Sequence, residues 1–124
     1  MANGTILVAD DDAAIRTVLN QALGRAGYEV RVTGQASTLW RWISEGQGDL
    51  VVTDVVMPGG IDGMQLARIA TQHRRDLRVL LTSGFPASSA AMETLDDRMP
   101  QLLMKPYRTS ELAERVRRAL HARP

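Results

Sequence analysis

Short apolar runs of strand length recur along this chain, and helix-length segments with apolar residues three and four apart stand between them. That alternation restricts the fold more than any other feature. The runs are Thr5-Ile6-Leu7-Val8-Ala9, Tyr28-Glu29-Val30-Arg31-Val32, Leu50-Val51-Val52-Thr53, Arg78-Val79-Leu80-Leu81-Thr82 and Gln101-Leu102-Leu103-Met104. After the first run, Ile15, Val18, Leu19, Ala22, Leu23 and Ala26 share one helix face. Asp12 is placed to cap that helix and Gly27 to end it. A second helix over residues 35–45 turns Leu39, Trp40 and Ile43 inward, and a third over residues 64–73 buries Leu66, Ile69 and Ala70. Residues 85–100 carry the weakest pattern, with a short helix expected around 90–95. Ser110 is expected to cap a last helix whose Leu112, Val116, Ala119 and Leu120 face the core. Strands alternating with helices make βαβ units, and right-handed crossovers leave few ways to connect them. The expected fold is α/β: a flavodoxin-like (βα)5 doubly wound parallel sheet of order 2-1-3-4-5.

Composition closes off several classes. The chain has 124 residues, 44% hydrophobic and 23% charged, as in an ordinary globular domain, here expected over residues 1–124. It has no cysteine, which excludes a disulfide framework and any thiolate metal site or nucleophile. No apolar run is long enough to span a bilayer, and no charged-then-apolar leader precedes the first strand, so a cytoplasmic location without a membrane partner is expected. Fifteen Lys and Arg against fourteen Asp and Glu leave a net charge of +1, too balanced for a direct nucleic-acid partner. The charge is nevertheless local: Asp10, Asp11 and Asp12 are consecutive, and Arg108, Arg115, Arg117, Arg118 and Arg123 gather near the end.

In doubly wound sheets, ligands bind beyond the carboxyl ends of the strands, near the switch in strand order. Asp10 and Asp11 follow the first strand there, Asp54 the third, Ser83 the fourth, and Lys105-Pro106 the fifth. The first and third strands are neighbours in the expected order, so three carboxylates converge. Two carboxylates about 4 Å apart repel by about 4 kcal/mol at an effective dielectric near 20. Such a group demands cations. Lys105 supplies one charge, and Mg²⁺ suits an open, oxygen-lined pocket with few protein ligands. A carboxylate facing a metal, an ammonium and a hydroxyl has the parts for phosphoryl transfer, with Asp as nucleophile.

The segments Val8-Ala9-Asp10-Asp11-Asp12, Thr53-Asp54-Val55-Val56-Met57-Pro58, Asp62-Gly63, Thr82-Ser83-Gly84 and Lys105-Pro106 together resemble a two-component response-regulator receiver domain. The resemblance runs over essentially the whole chain. It implies that Asp54 is the phospho-acceptor, that Asp11 ligates Mg²⁺ directly and Asp10 mostly through water, and that the Val56 carbonyl completes the protein ligands. It makes Ser83 the switch hydroxyl and Lys105 the phosphoryl clamp, with a histidine kinase as phosphodonor and slow loss of the phosphoryl group to water. No multiple-turnover enzyme activity is implied. Residues up to Pro58 look like receivers of nitrogen-regulation (NtrC-type) activators. Leu80-Leu81-Thr82-Ser83-Gly84-Phe85-Pro86 and Lys105-Pro106-Tyr107 look more like receivers of hybrid histidine kinases, which suggests a mosaic joined near Pro58. Many receivers carry an aromatic residue three positions before the lysine. Leu102 stands there instead, so altered coupling between Ser83 and the output face is expected.

Other readings of the same residues compete with these. A haloacid-dehalogenase-type phosphatase also uses Asp, Mg²⁺, Ser or Thr and Lys; Asp10 and Asp12 fit its first two motif places, but Ala14 occupies the third. A degenerate receiver acting only as an interaction module is a further alternative. Trp40 is expected in the core, and Trp42, two residues on, is expected to face elsewhere and stay partly exposed. His73 and His121 are expected to face solvent. The arginines of the last helix read as a solvated face first and a homodimer contact second.

Overall fold

The computed structural model describes residues 4–54, 63–74, 76–83, 101–105 and 107–121. Strands β1 (Thr5–Ala9), β2 (Glu29–Thr33), β3 (Leu50–Asp54), β4 (Arg78–Ser83) and β5 (Gln101–Met104) form a sheet of order β2-β1-β3-β4-β5, every pair parallel. The helices are α1 (Ala13–Arg25), α2 (Ala36–Ser44), α3 (Gly63–His73) and α4 (Thr109–His121). The parallel α/β sheet, with β1 between β2 and β3, is as the alternation predicts. The helix expected around residues 90–95 lies outside the described residues, as do the segment around Pro58 and Val56.

Side chains two apart on a strand share a face, and the core divides accordingly. Leu7, Ala9, Val51, Val79 and Leu81 pack under α2 and α3, with Leu39, Ile43, Leu66 and Ala70. Ile6, Val8, Leu50, Val52, Leu80 and Leu103 pack on the opposite face under α1 and α4, with Leu19, Leu23, Leu112 and Val116. Both faces are covered, so β3 is buried along its whole length, as its unbroken apolar run implies.

Local signals place the helix ends. The Asp12 carboxylate accepts from the N–H groups of Ala14 (2.9 Å) and Ile15 (3.4 Å), two donors the first turn of α1 leaves unbonded. Gly27, with φ of 98°, closes the other end, where the Tyr28 N–H returns to the Leu23 carbonyl. Ser110 is not the cap of α4. The Leu112 N–H bonds the Arg108 carbonyl, so the helix starts at Thr109 and Ser110 lies in its first turn.

The tryptophans exchange the roles expected of them. Trp42 is buried, and Trp40 is only partly so. With Leu39 and Ile43 inward, a helix of 3.6 residues per turn brings Trp42 onto their stripe and leaves Trp40 at its flank. Arg31 lies over the Trp42 ring, 4.6 Å from its centroid, and an exposed His73 stands 5.9 Å from the ring of Trp40. Val18 and Ile69 are exposed rather than inward, because the stripes run through Leu19–Leu23 and Leu66–Ala70 beside them.

Candidate functional site

The sheet register builds the site. Ala9 pairs with both Thr33 and Thr53, so Asp10 leaves β1 at the level where Asp54 ends β3. Asp54 pairs with Thr82, and Ser83 with Met104, which brings the ends of β4 and β5 to the same edge. Asp10 and Asp54 are buried and Asp11 is exposed, and one carboxylate oxygen from each lies within 4.8 Å of the other two. The structure thus brings together the three acids singled out in the sequence. Asp12 stands apart from them as the helix cap.

Lys105 spans this group. Its Nζ donates to Asp10 Oδ2 at 2.9 Å and to Asp54 Oδ2 at 3.0 Å. Burial by itself would lower the lysine pKa, but the hydrogen bonds and charges of Asp10 and Asp54 outweigh it and hold the ammonium above its ordinary value. One cation against three carboxylates leaves the cluster two charges negative. Hard oxygen donors, an exposed member and uncompensated negative charge fit a Mg²⁺ ion, which keeps several waters and takes few protein ligands. Asp10, Asp11 and Asp54 are the side chains that would hold it.

The loop carrying Asp10 is tied down on all sides. Its N–H donates to the Thr33 carbonyl (3.1 Å), and its Oδ1 accepts from the Asp12 N–H (2.9 Å). Its carbonyl accepts from Arg16 Nη1 at 2.7 Å. Sequence reasoning gave Arg16 no role. The signal was present: helical side chains lean toward the helix N-terminus, and Arg16 lies one turn past the Asp12 cap. Tyr107 is a second feature the sequence left unread. Its hydroxyl is buried without a hydrogen-bond partner among the described residues, and burial, reinforced by Asp10, pushes its pKa up to about 12, so the phenol stays neutral. Ser83 and Leu102 sit in β4 and β5 by backbone, and their side chains lie outside what is described; Val56 and Pro106 lie outside altogether.

Among the described residues, no helix is long and apolar enough to cross a membrane. Comparison with known proteins bears on the rest. The NtrC DNA-binding transcriptional regulator of Rhizobium meliloti is 53% identical over 120 residues, 97% of this chain and 25% of that protein. The response regulator receiver protein CpdR of Brucella abortus is 33% identical over 117 residues, 94% of this chain and 97% of that one. A crystal structure of a response regulator receiver protein from Sinorhizobium medicae superposes with a TM-score of 0.85 at 30% identity, covering 97% and 96% of the two chains. The chain spans about a quarter of the length of the NtrC relatives it matches. Residues 6–117 match the family described as the response regulator receiver domain, and with an acid cluster bridged by a lysine at the strand ends, the chain belongs to that family.

Proposed function

We propose that Asp54 accepts a phosphoryl group from the phosphohistidine of a histidine kinase. The observation that carries this is the Lys105 ammonium shared between Asp10 and Asp54, with Asp11 open to solvent beside them. Asp54 Oδ attacks phosphorus in line, the P–N bond breaks, and the imidazole leaves. Lys105, already bonded to the acceptor carboxylate, neutralises charge on the transferred group. Asp10, Asp11 and Asp54 would hold Mg²⁺, which when bound would neutralise charge on phosphoryl oxygens. The Val56 carbonyl would complete the ligands, and Ser83 would donate to the new phosphoryl group. With Leu102 in place of an aromatic, the shape change that follows is expected to be altered.

The chain works as one domain over residues 1–124, cytoplasmic, without direct nucleic-acid contact and without turnover of phosphate esters. It switches a partner or an output domain such as its longer relatives carry. The arginines of α4 supply a homodimer face; Arg117 and Arg118 both engage Glu114 there. A haloacid-dehalogenase-type phosphatase would need Asp10 and Asp12 in one catalytic motif, but the Asp12 carboxylate is occupied by the cap of α1. The mosaic reading is tested by counting identity separately on either side of Pro58. One relative at 53% runs across that point over 97% of the chain, which a single continuous receiver accounts for.

The deciding experiment is incubation with acetyl phosphate and Mg²⁺, followed by intact mass. Wild type should gain one phosphoryl group and Asp54→Asn none. Equal labelling of both removes Asp54 from the acceptor role.

A further inference from the structure

We propose that Arg16 and Gly34 form a positioning device for the acid cluster. The Arg16 guanidinium, seated in the space left by a glycine, fixes the Asp10 carbonyl and so sets where the Asp10 and Asp11 carboxylates stand relative to Asp54. The inference rests on the cluster being a Mg²⁺ site.

Three observations support it. Arg16 Nη1 reaches the Asp10 carbonyl at 2.7 Å, a short bond from a charged donor. Arg16 makes no ion pair among the described residues, so this carbonyl is the main polar engagement of its charge. A Cβ built on Gly34 would fall 2.7 Å from Arg16 Nη1 and 3.4 Å from Cζ. Residue 34 follows β2, and any side chain there would compete with the guanidinium for its slot. Gly34 is not among the glycines with positive φ, so its backbone suits any residue and the constraint is one of space.

The consequence follows from connectivity. The Asp10 carbonyl belongs to the peptide joining Asp10 to Asp11. Fixing that peptide fixes the departure of both side chains, one buried and held by Lys105, the other exposed and, among the described residues, otherwise untethered. Arg16 acts through Asp10 and Asp11, so it is a positioning residue and not a ligand.

Its charge makes the test decisive. An arginine near a cation site repels the cation, so if Arg16 mattered only by charge, removing it would tighten Mg²⁺ binding. Positioning requires the opposite. Mg²⁺ is titrated calorimetrically into the full chain as wild type, Arg16→Gln, Gly34→Ala and the double variant, with thermal midpoints recorded in parallel. Arg16→Gln should bind Mg²⁺ about 10-fold more weakly, as when an orienting partner of a ligand is lost. Gly34→Ala collides only with the far end of a flexible side chain, so it should fold and also bind more weakly. The double variant should be no weaker than Arg16→Gln alone, because both changes break one contact. Unchanged or tighter binding by Arg16→Gln, or additive losses, overturns the proposal. A wild type that takes up no Mg²⁺ overturns the cation-site reading instead, and this inference with it.

Discussion

Lys105 holds Asp54 at 3.0 Å from a position 51 residues further along the chain, and the same ammonium holds Asp10 at 2.9 Å. Three strand ends are thereby tied at one point. Asp10 keeps only 3% of its side chain exposed, and Lys105 is the cation bonded to it. Lys105→Met should lower stability by about 1.5–3 kcal/mol, the range for a hydrogen bond to a charged group, with the lower end favoured because Lys105 is one-fifth exposed. Urea unfolding without divalent ions measures it. An unchanged midpoint would mean that water compensates the acids.

Alkaline pH tests the same corner. Lys105 and Tyr107 both bind their protons more tightly in the fold than in the unfolded chain. Above pH 10 the unfolded tyrosine ionises while the folded one, near 12, does not, so unfolding gains. Stability should be flat below about pH 10 and fall through pH 12, where the lysine contribution is also being lost. Tyr107→Phe removes a buried hydroxyl that has no partner among the described residues and should raise stability by about 1 kcal/mol. It should also make the alkaline loss shallower. Urea midpoints from pH 8 to 11 for both proteins check the sign.

The tryptophans provide a test of the core layer under α2 and α3. Trp42→Ala should cost about 3–5 kcal/mol and Trp40→Ala markedly less, since only Trp42 is buried. Acrylamide should quench Trp40 in Trp42→Phe more readily than Trp42 in Trp40→Phe. The reverse order would restore the arrangement expected from sequence.

Those tryptophans also show where the sequence stopped being legible. The strands were readable because short unbroken apolar runs rich in valine, such as Leu50-Val51-Val52, arise from burial on both faces and are too short for a helix. The site was readable because strand ends in a parallel sheet share one edge, so Asp10, Asp54 and Lys105 could be brought together without knowing any distance. Which flank of a helix turns inward depends on a few tens of degrees of rotation. Trp40 and Trp42 were exchanged and Ile69 misplaced for that reason. Arg16 escaped because its partner is a main-chain carbonyl, and because the space it fills is created 18 residues later by Gly34.

Asp12 separates helix capping from metal binding. Its carboxylate serves Ala14 and Ile15, and it is not one of the three acids whose oxygens converge. Asp12→Ala should therefore cost about 1 kcal/mol of stability and leave Mg²⁺ affinity within about twofold of wild type. Thermal unfolding and calorimetry on the same samples read both. A large loss of affinity with intact stability would place Asp12 among the ligands.

Asp11 should behave in the opposite way, and the sign of its effect should depend on the metal. It is exposed, and it adds a third negative charge within 4.8 Å of two others that share one lysine. Without divalent ions, Asp11→Asn relieves that repulsion and should stabilise the fold by on the order of 1 kcal/mol, the value for charges about 4 Å apart in water. With Mg²⁺ in excess the order should invert. Wild type gains RT ln(1 + [Mg²⁺]/Kd), about 2.7 kcal/mol at a hundred times Kd, whereas the variant binds weakly and gains little. Thermal midpoints of both proteins plotted against Mg²⁺ concentration should therefore cross. Parallel curves would show that Asp11 takes no part in holding the ion; a wild-type curve that stays flat would remove the ion from the site.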